Sequence, residues 1–154
     1  MVVFYIASDH AGFGLKNRLR LSLAKEFQFE DLGVYVAERI DYPDIAIKLA
    51  KKVAADKESL GVLICGTGIG MSMVANKVHG ARAAVAYDGF TVKMARQHNN
   101  ANILCLGARA LEEMMAKEIV SSFLKIKFLG HTPEGERHLK RVQKIEEIEK
   151  QHFK

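Results

Sequence analysis

No tryptophan, only two prolines and only two cysteines occur in this chain of 154 residues. The cysteines, Cys65 and Cys105, end separate apolar runs, which excludes a disulfide scaffold and favours reduced thiols, buried or reactive. No CxxC or paired Cys/His spacing is present, so no metal site is expected. Long apolar runs are missing too: none reaches the ~18 residues of a membrane span. Residues 1–8 lack the basic start and cleavage-site composition of a secretory signal, so the expectation is a cytoplasmic protein off the membrane. Charge of one sign is also scarce. The 23 Lys and Arg are spread among 18 Asp and Glu, and four tyrosines give no stacking series, which argues against nucleic acid. The net charge of +5 suits capture of a small anionic substrate.

What is present is a core. A hydrophobic content of 49% over this length supports one domain, 1–154, with a core over 1–128. Short apolar runs at Val2–Ala7, Leu60–Cys65, Arg82–Ala86 and Asn102–Leu106, with a weaker one at Phe29–Gly33, alternate with segments of helical period. Leu15, Leu19 and Leu23 make one stripe; Ala46, Leu49, Ala50 and Val53 a second; Ala116, Ile119, Val120 and Phe123 a third. Runs without polar alternation belong to strands covered on both faces, so the pattern predicts a three-layer α/β/α sandwich with a parallel five-stranded sheet. Ligands then bind at the C-terminal ends of the strands. After the break at Gly130–Pro133 a charged helix over about 133–152 is appended, and its stripe of Leu139, Val142, Ile145 and Ile148 drifts round the axis. Such a stripe needs a second surface, and another subunit is the natural one.

The run Cys65-Gly66-Thr67-Gly68-Ile69-Gly70 lies where a buried strand meets a helix. Glycines let backbone N–H groups turn one way, and a helix start adds positive potential, so the junction suits an anion and favours a thiolate at Cys65. A base beside anion stabilisation is what proton abstraction next to a carbonyl requires. An inert buried thiol remains the alternative. Thr67 follows the same strand as Cys65, Asp9 and His10 follow the first strand and Asp88 the fourth, so all would converge on the same end; Asp9 can orient a hydroxyl or simply cap a helix. His98-Asn99-Asn100 closes a helix, where a functional and a capping role are equally open. Arg137 and Arg141 share one helical face and could grip a phosphate, or form a solvated basic face. Cys105 reads as structural; His79, His131 and His152 read as surface or linker residues. No Lys-Ser or Lys-Thr follows Gly70, which excludes a Walker-type loop.

Ser8-Asp9-His10-Ala11-Gly12, Asp41-Tyr42-Pro43-Asp44, Cys65 through Ser72, Ala75-Asn76-Lys77, Arg96-Gln97-His98-Asn99, Leu106-Gly107-Ala108-Arg109 and Gly135-Glu136-Arg137-His138 through Arg141-Val142 occur in order along nearly the whole chain. Together they resemble the type B ribose-5-phosphate isomerases, a family that also includes galactose-6-phosphate isomerase subunits. The resemblance implies a Rossmann-like fold with strand order 2-1-3-5-4 and metal-free, cofactor-free interconversion of ribose 5-phosphate and ribulose 5-phosphate in the pentose phosphate pathway.

It also implies a homodimer, with tetramers left open, whose active site lies at the interface. His98, Asn99 and Arg109 would come from one subunit, and Asp9, His10, Cys65 and the loop from the other. His10, Arg137 and Arg141 would hold the phosphate, and Tyr42 would wall the pocket. His98 would open the sugar ring, with Asp9 orienting hydroxyls. Cys65 would move the proton from C2 to C1, and Thr67 would relay protons between O1 and O2. Backbone N–H groups of Gly66, Thr67, Gly68, Ile69 and Gly70, beside Ser72, would hold the enediolate. Some members carry a glutamate base at the position of Met71, which cannot accept a proton. Six-carbon substrates, allose 6-phosphate or galactose 6-phosphate, are the nearest alternative. A noncatalytic nucleotide or sugar-phosphate binder is a more distant one.

Overall fold

A computed structural model describes residues 2–153. Five strands form one parallel sheet: β1 (Phe4–Ser8), β2 (Phe29–Asp31), β3 (Leu60–Cys65), β4 (Ala83–Val85) and β5 (Ile103–Gly107), in the order β2-β1-β3-β5-β4. Six helices alternate with and follow them: α1 (Phe13–Leu23), α2 (Tyr42–Ala55), α3 (Ile69–Ala75), α4 (Gly89–Gln97), α5 (Glu113–Lys125) and α6 (Glu136–His152). The expected three-layer α/β/α sandwich is the architecture found.

The stripes explain the layers. Leu15, Leu19 and Leu23 of α1 pack with Val92 and Ala95 of α4 and the α5 stripe against Ile6, Val62, Ile64, Leu104 and Leu106 on one face of the sheet. Ala46, Leu49, Ala50 and Val53 of α2 join Met71 and Ala75 of α3 over Tyr5, Ala7, Leu63, Cys65 and Cys105 on the other. Every residue of β3 is buried, as a central strand between two helical layers demands. Two strands run one residue beyond the apolar runs that announce them. Ser8 pairs with Ile64, and Gly107 with Cys65, so β1 and β5 carry their backbones into the site.

Among the described residues, one charged side chain has no exposure at all. Lys16 of α1 is wholly buried, with Nζ 2.8 and 3.0 Å from the Asp31 carboxylate and bonded to the Val34 carbonyl. Arg20 holds the second Asp31 oxygen at 2.8 Å. This pin ties α1 to the end of β2 and to the segment that leads to Tyr42. The connection after α5 folds into two 3-10 turns, Leu129–His131 and Pro133–Gly135. Of the α6 stripe, Val142 is buried, Leu139 is half-buried, and Ile145 and Ile148 lie open to solvent. Among the described residues, no helix is long and apolar enough to cross a membrane.

Candidate active site

Where β3 ends, the chain must reverse direction over a covered sheet, and Gly68 allows it. Its φ is +81°, and a Cβ there would lie 3.0 Å from the Leu106 backbone. That turn aims the Gly68 N–H at Cys65 Sγ, 3.1 Å away. The sulfur is thus an acceptor at the lip of the sheet, with Cys65 only 5% exposed. Among the described residues, the N–H groups of Gly66, Thr67 and Gly70 have no acceptor. Thr67 is exposed and its Oγ1 accepts the Ile69 N–H at 3.3 Å, which leaves the hydroxyl proton free to move. Ser72 donates its hydroxyl to the Ile69 carbonyl at 2.7 Å, so it offers a ligand lone pairs only.

Three further segments close around this loop. Asp9 is buried at the end of β1, pinned by its N–H to the Ile64 carbonyl, and its Oδ1 accepts the Gly12 N–H at 3.1 Å. That bond closes a turn ahead of α1, whose N-cap is Gly12 without a side-chain cap, so Asp9 does not cap the helix. His10 accepts the Ile40 N–H on Nδ1 at 3.3 Å, which leaves Nε2 as the donor of the neutral ring. Tyr42, at the first position of α2, lays its ring on Gly70, where a Cβ would be 2.5 Å from Cζ. The Arg109 N–H donates to the Gly66 carbonyl at 3.0 Å, and its guanidinium covers Gly66.

The remaining candidates lie elsewhere. His98 ends α4, five residues before β5 begins, and so stands with Asn99 at the N-terminal ends of the strands. Arg137 and Arg141 project from the start of α6 beside it, both exposed. Length alone separates the two groups: β5 spans roughly 15 Å at ~3.3 Å per residue. Within the single chain Arg109, which the resemblance groups with His98 and Asn99, follows β5 and sits with the loop instead. Asp88 does not join the cluster either. It caps α4, accepting the Thr91 N–H at 2.7 Å in a reciprocal capping box that holds its carboxyl below the usual range.

His138 stands in the Arg137–Arg141 cluster that the sequence points to, without a role of its own assigned there. It is buried and stacks on His98 with ring centroids 3.8 Å apart and planes 11° from parallel. Burial, then His98, Arg137 and Arg141, hold its pKa below the usual histidine value. Its place one residue after Arg137 was the available signal. Met71 is fully buried, and burial followed by the nearby Cys65 pushes the Cys105 thiol up, as suits a structural cysteine.

A sandwich of this topology, carrying a Cys-Gly-Thr-Gly turn at its central strand, is the architecture of a sugar-phosphate isomerase family, and residues 4–145 match the profile described as Ribose/Galactose Isomerase. The chain belongs to that family. It is similar to ribose-5-phosphate isomerase B of Escherichia coli strain K12, 40% identical over 142 residues that cover 92% of each chain. It is 45% identical over 150 residues to the probable ribose-5-phosphate isomerase B of Mycoplasma genitalium, covering 96% of this chain and 95% of that one. A solved structure of ribose-5-phosphate isomerase B from M. genitalium with bound ribulose-5-phosphate superposes with a TM-score of 0.90 at 43% identity over 97% of each chain. The Clostridium thermocellum ribose-5-phosphate isomerase B structure does so with 0.90 at 42% identity over 99% of each.

Proposed function

We propose that this chain is an aldose–ketose isomerase that interconverts ribose 5-phosphate and ribulose 5-phosphate, with Cys65 as the carbon base. The observation that carries the reading is the Cys65 sulfur at the end of β3, facing the Gly68 N–H at 3.1 Å beside the N–H groups of Gly66, Thr67 and Gly70, which are unspent among the described residues. A backbone donor aimed at sulfur strengthens as the sulfur becomes anionic, which is what a thiol base needs. The ribulose-5-phosphate held by the M. genitalium relative supports the substrate class. Phosphorylated sugars are charged and stay in the compartment that makes them, so the enzyme is read as cytoplasmic.

In the aldose-to-ketose direction, Cys65 takes the C2 proton as the C1 carbonyl becomes an enediolate, and the free turn amides hold the oxygens. The thiol returns the proton to C1, while Thr67 carries the O2 proton to O1. Asp9 directs its second carboxylate oxygen to the sugar hydroxyls, and Ser72 accepts from one. Tyr42 and Arg109 wall the pocket. His10, through Nε2–H, meets the phosphate together with Arg137 and Arg141. His98 opens the furanose ring, with Asn99 beside it.

One chain cannot assemble that set. Its base lies at one end of the sheet, and its ring-opening histidine and phosphate arginines lie at the other. A two-fold dimer that sets the loop of one subunit against the α4–α6 end of its partner completes two sites at once. Ile69, Met73, Tyr87 and Phe90 offer apolar surface beside the loop, each more than half exposed in the single chain.

The test is turnover of ribose 5-phosphate, allose 6-phosphate and galactose 6-phosphate at matched concentration by the wild type and by Cys65→Ala. The five-carbon sugar should be preferred, and Cys65→Ala should lose ~10²–10⁴ in kcat with little change in KM. Near-normal kcat in the variant would overturn the base, and preference for a six-carbon sugar would overturn the substrate.

A further inference from the structure

Away from the Cys65 loop, the N-terminal ends of the strands open into a cleft of about 840 Å³ floored by Phe4, Leu60 and Asn102 and roofed by α6. That is room for a ligand the size of a sugar phosphate. Six lysines and arginines line it against three glutamates. One of the three, Glu149, is already spent on the Gly80 N–H at 3.1 Å.

Two guanidiniums define its inner wall. Arg82 donates from Nε to the Asn100 carbonyl at 2.8 Å, and Arg96 donates from Nη1 to the Asn100 side chain at 3.4 Å and to the Ala101 carbonyl at 2.6 Å. Arg96 also holds the Ile126 carbonyl through Nε at 3.0 Å. Among the described residues, Arg96 has no carboxylate within ion-pair distance, and Arg82 has only Glu146, at 3.8 Å. Neither Nη2 has a hydrogen-bond partner among those residues, and neither is sealed from solvent. Burial pulls both guanidiniums below the ordinary arginine range, and Arg82 depresses Arg96 further. Two like charges, Arg96 buried and Arg82 half-buried, converge on one residue with an unused donor edge each, an arrangement that a multivalent anion would neutralise.

We propose that this cleft is a second anion site, which takes a small phosphate ester with its phosphate between Arg82 and Arg96 and relays occupancy through Asn100 to the His98–Asn99 turn. Asn100 carries a positive φ of 47° and is gripped by both arginines, so a ligand that pulls on either guanidinium pulls on that turn. The site stands apart from Arg137 and Arg141, which do not line the cleft.

Calorimetric titration with inorganic pyrophosphate tests the binding. Wild type should show two classes of site per chain, and Arg137→Ala/Arg141→Ala should keep one. Arg82→Gln should weaken that remaining class at least tenfold. Loss of all binding in the Arg137→Ala/Arg141→Ala protein, or unaltered affinity in Arg82→Gln, overturns the proposal. Should Arg82→Gln not fold, Lys57→Gln/Lys127→Gln changes two exposed rim charges only and should weaken binding about threefold or more. No change there is equally fatal. The relay rests on the isomerase reading: at saturating ribose 5-phosphate, pyrophosphate should alter kcat in wild type and not in Arg82→Gln. Intact binding with an unmoved kcat refutes the relay and leaves the isomerase reading standing.

Discussion

Cys65→Ala and His98→Ala should each be nearly inactive alone and should rescue one another when mixed. Cys65 ends β3, whereas His98 precedes β5 at the other end of the sheet, so side chains on one chain cannot meet across the roughly 15 Å of strand between them. In a two-fold dimer, each site draws the base from one subunit and the histidine from the other. A heterodimer of the two variants therefore contains one site with both defects and one with none. Random exchange at equal concentration puts half the chains into heterodimers with one working site of two, which gives about a quarter of wild-type activity. The separate variants should sit ~10²–10⁴ below wild type, so the recovered signal stands far above background. The assay is ribulose 5-phosphate formation after co-refolding, with Cys65→Ala plus Thr67→Ala as the control. Those two defects lie at the same end, and the control mixture should stay dead. If the Cys65→Ala and His98→Ala mixture also stays at background, the interface reading fails.

Three further outcomes follow from packing. Asp31→Ala strips the buried Lys16 ammonium of its carboxylate and should cost ~3–5 kcal/mol in urea unfolding, with Lys16→Met/Asp31→Leu recovering most of it; an unchanged midpoint would refute the pin. Gly68→Ala forces a side chain into a left-handed turn against Leu106, at ~1–3 kcal/mol. It should lower kcat in protein that remains folded, because the N–H facing Cys65 moves; a wild-type kcat would detach the turn from catalysis. His138 has its pKa lowered by burial and by neighbouring cations, so the unfolded chain binds its proton more readily. Its stabilising contribution is present above the unfolded value near 6.5 and is lost as pH falls through the lower folded value. Melting temperature between pH 7 and 5 should therefore fall more steeply in wild type than in His138→Gln, and equal slopes would remove His138 as the cause.

How far the residues disclosed this differs by scale. Periodicity is a local property, and the α1, α2 and α5 stripes were readable because every residue in them meets one sheet face. β3 matched its apolar run end to end, whereas β1 and β5 overran theirs by Ser8 and Gly107, since backbone pairing continues where side chains turn polar for the site. The Cys65–Gly70 turn was legible from its glycines. The separation of His98 from that turn was legible only through the family resemblance, not from spacing. A helix that follows a parallel strand returns the chain to the opposite end of the sheet, so His98 lies far from the Cys65 loop even though strand and helix are neighbours. Lys16 hid within a stripe defined by leucines, and only its pairing with Asp31 reveals why a cation is tolerated there. The cluster of His138 with Arg137 and Arg141 was readable, but its stack on His98 was not, because stacking is a contact between distant segments, without a spacing to read.

Under the proposed dimer, a polypeptide that carries its sulfur and its arginines at opposite poles of its sheet is open to division of labour after gene duplication. One copy could discard its sulfur and the sibling its arginines, and a mixed pair would still keep one competent pocket. Each pole is then free to drift toward a new carbohydrate without dragging the other along, so hetero-oligomeric descendants are a natural product of this layout.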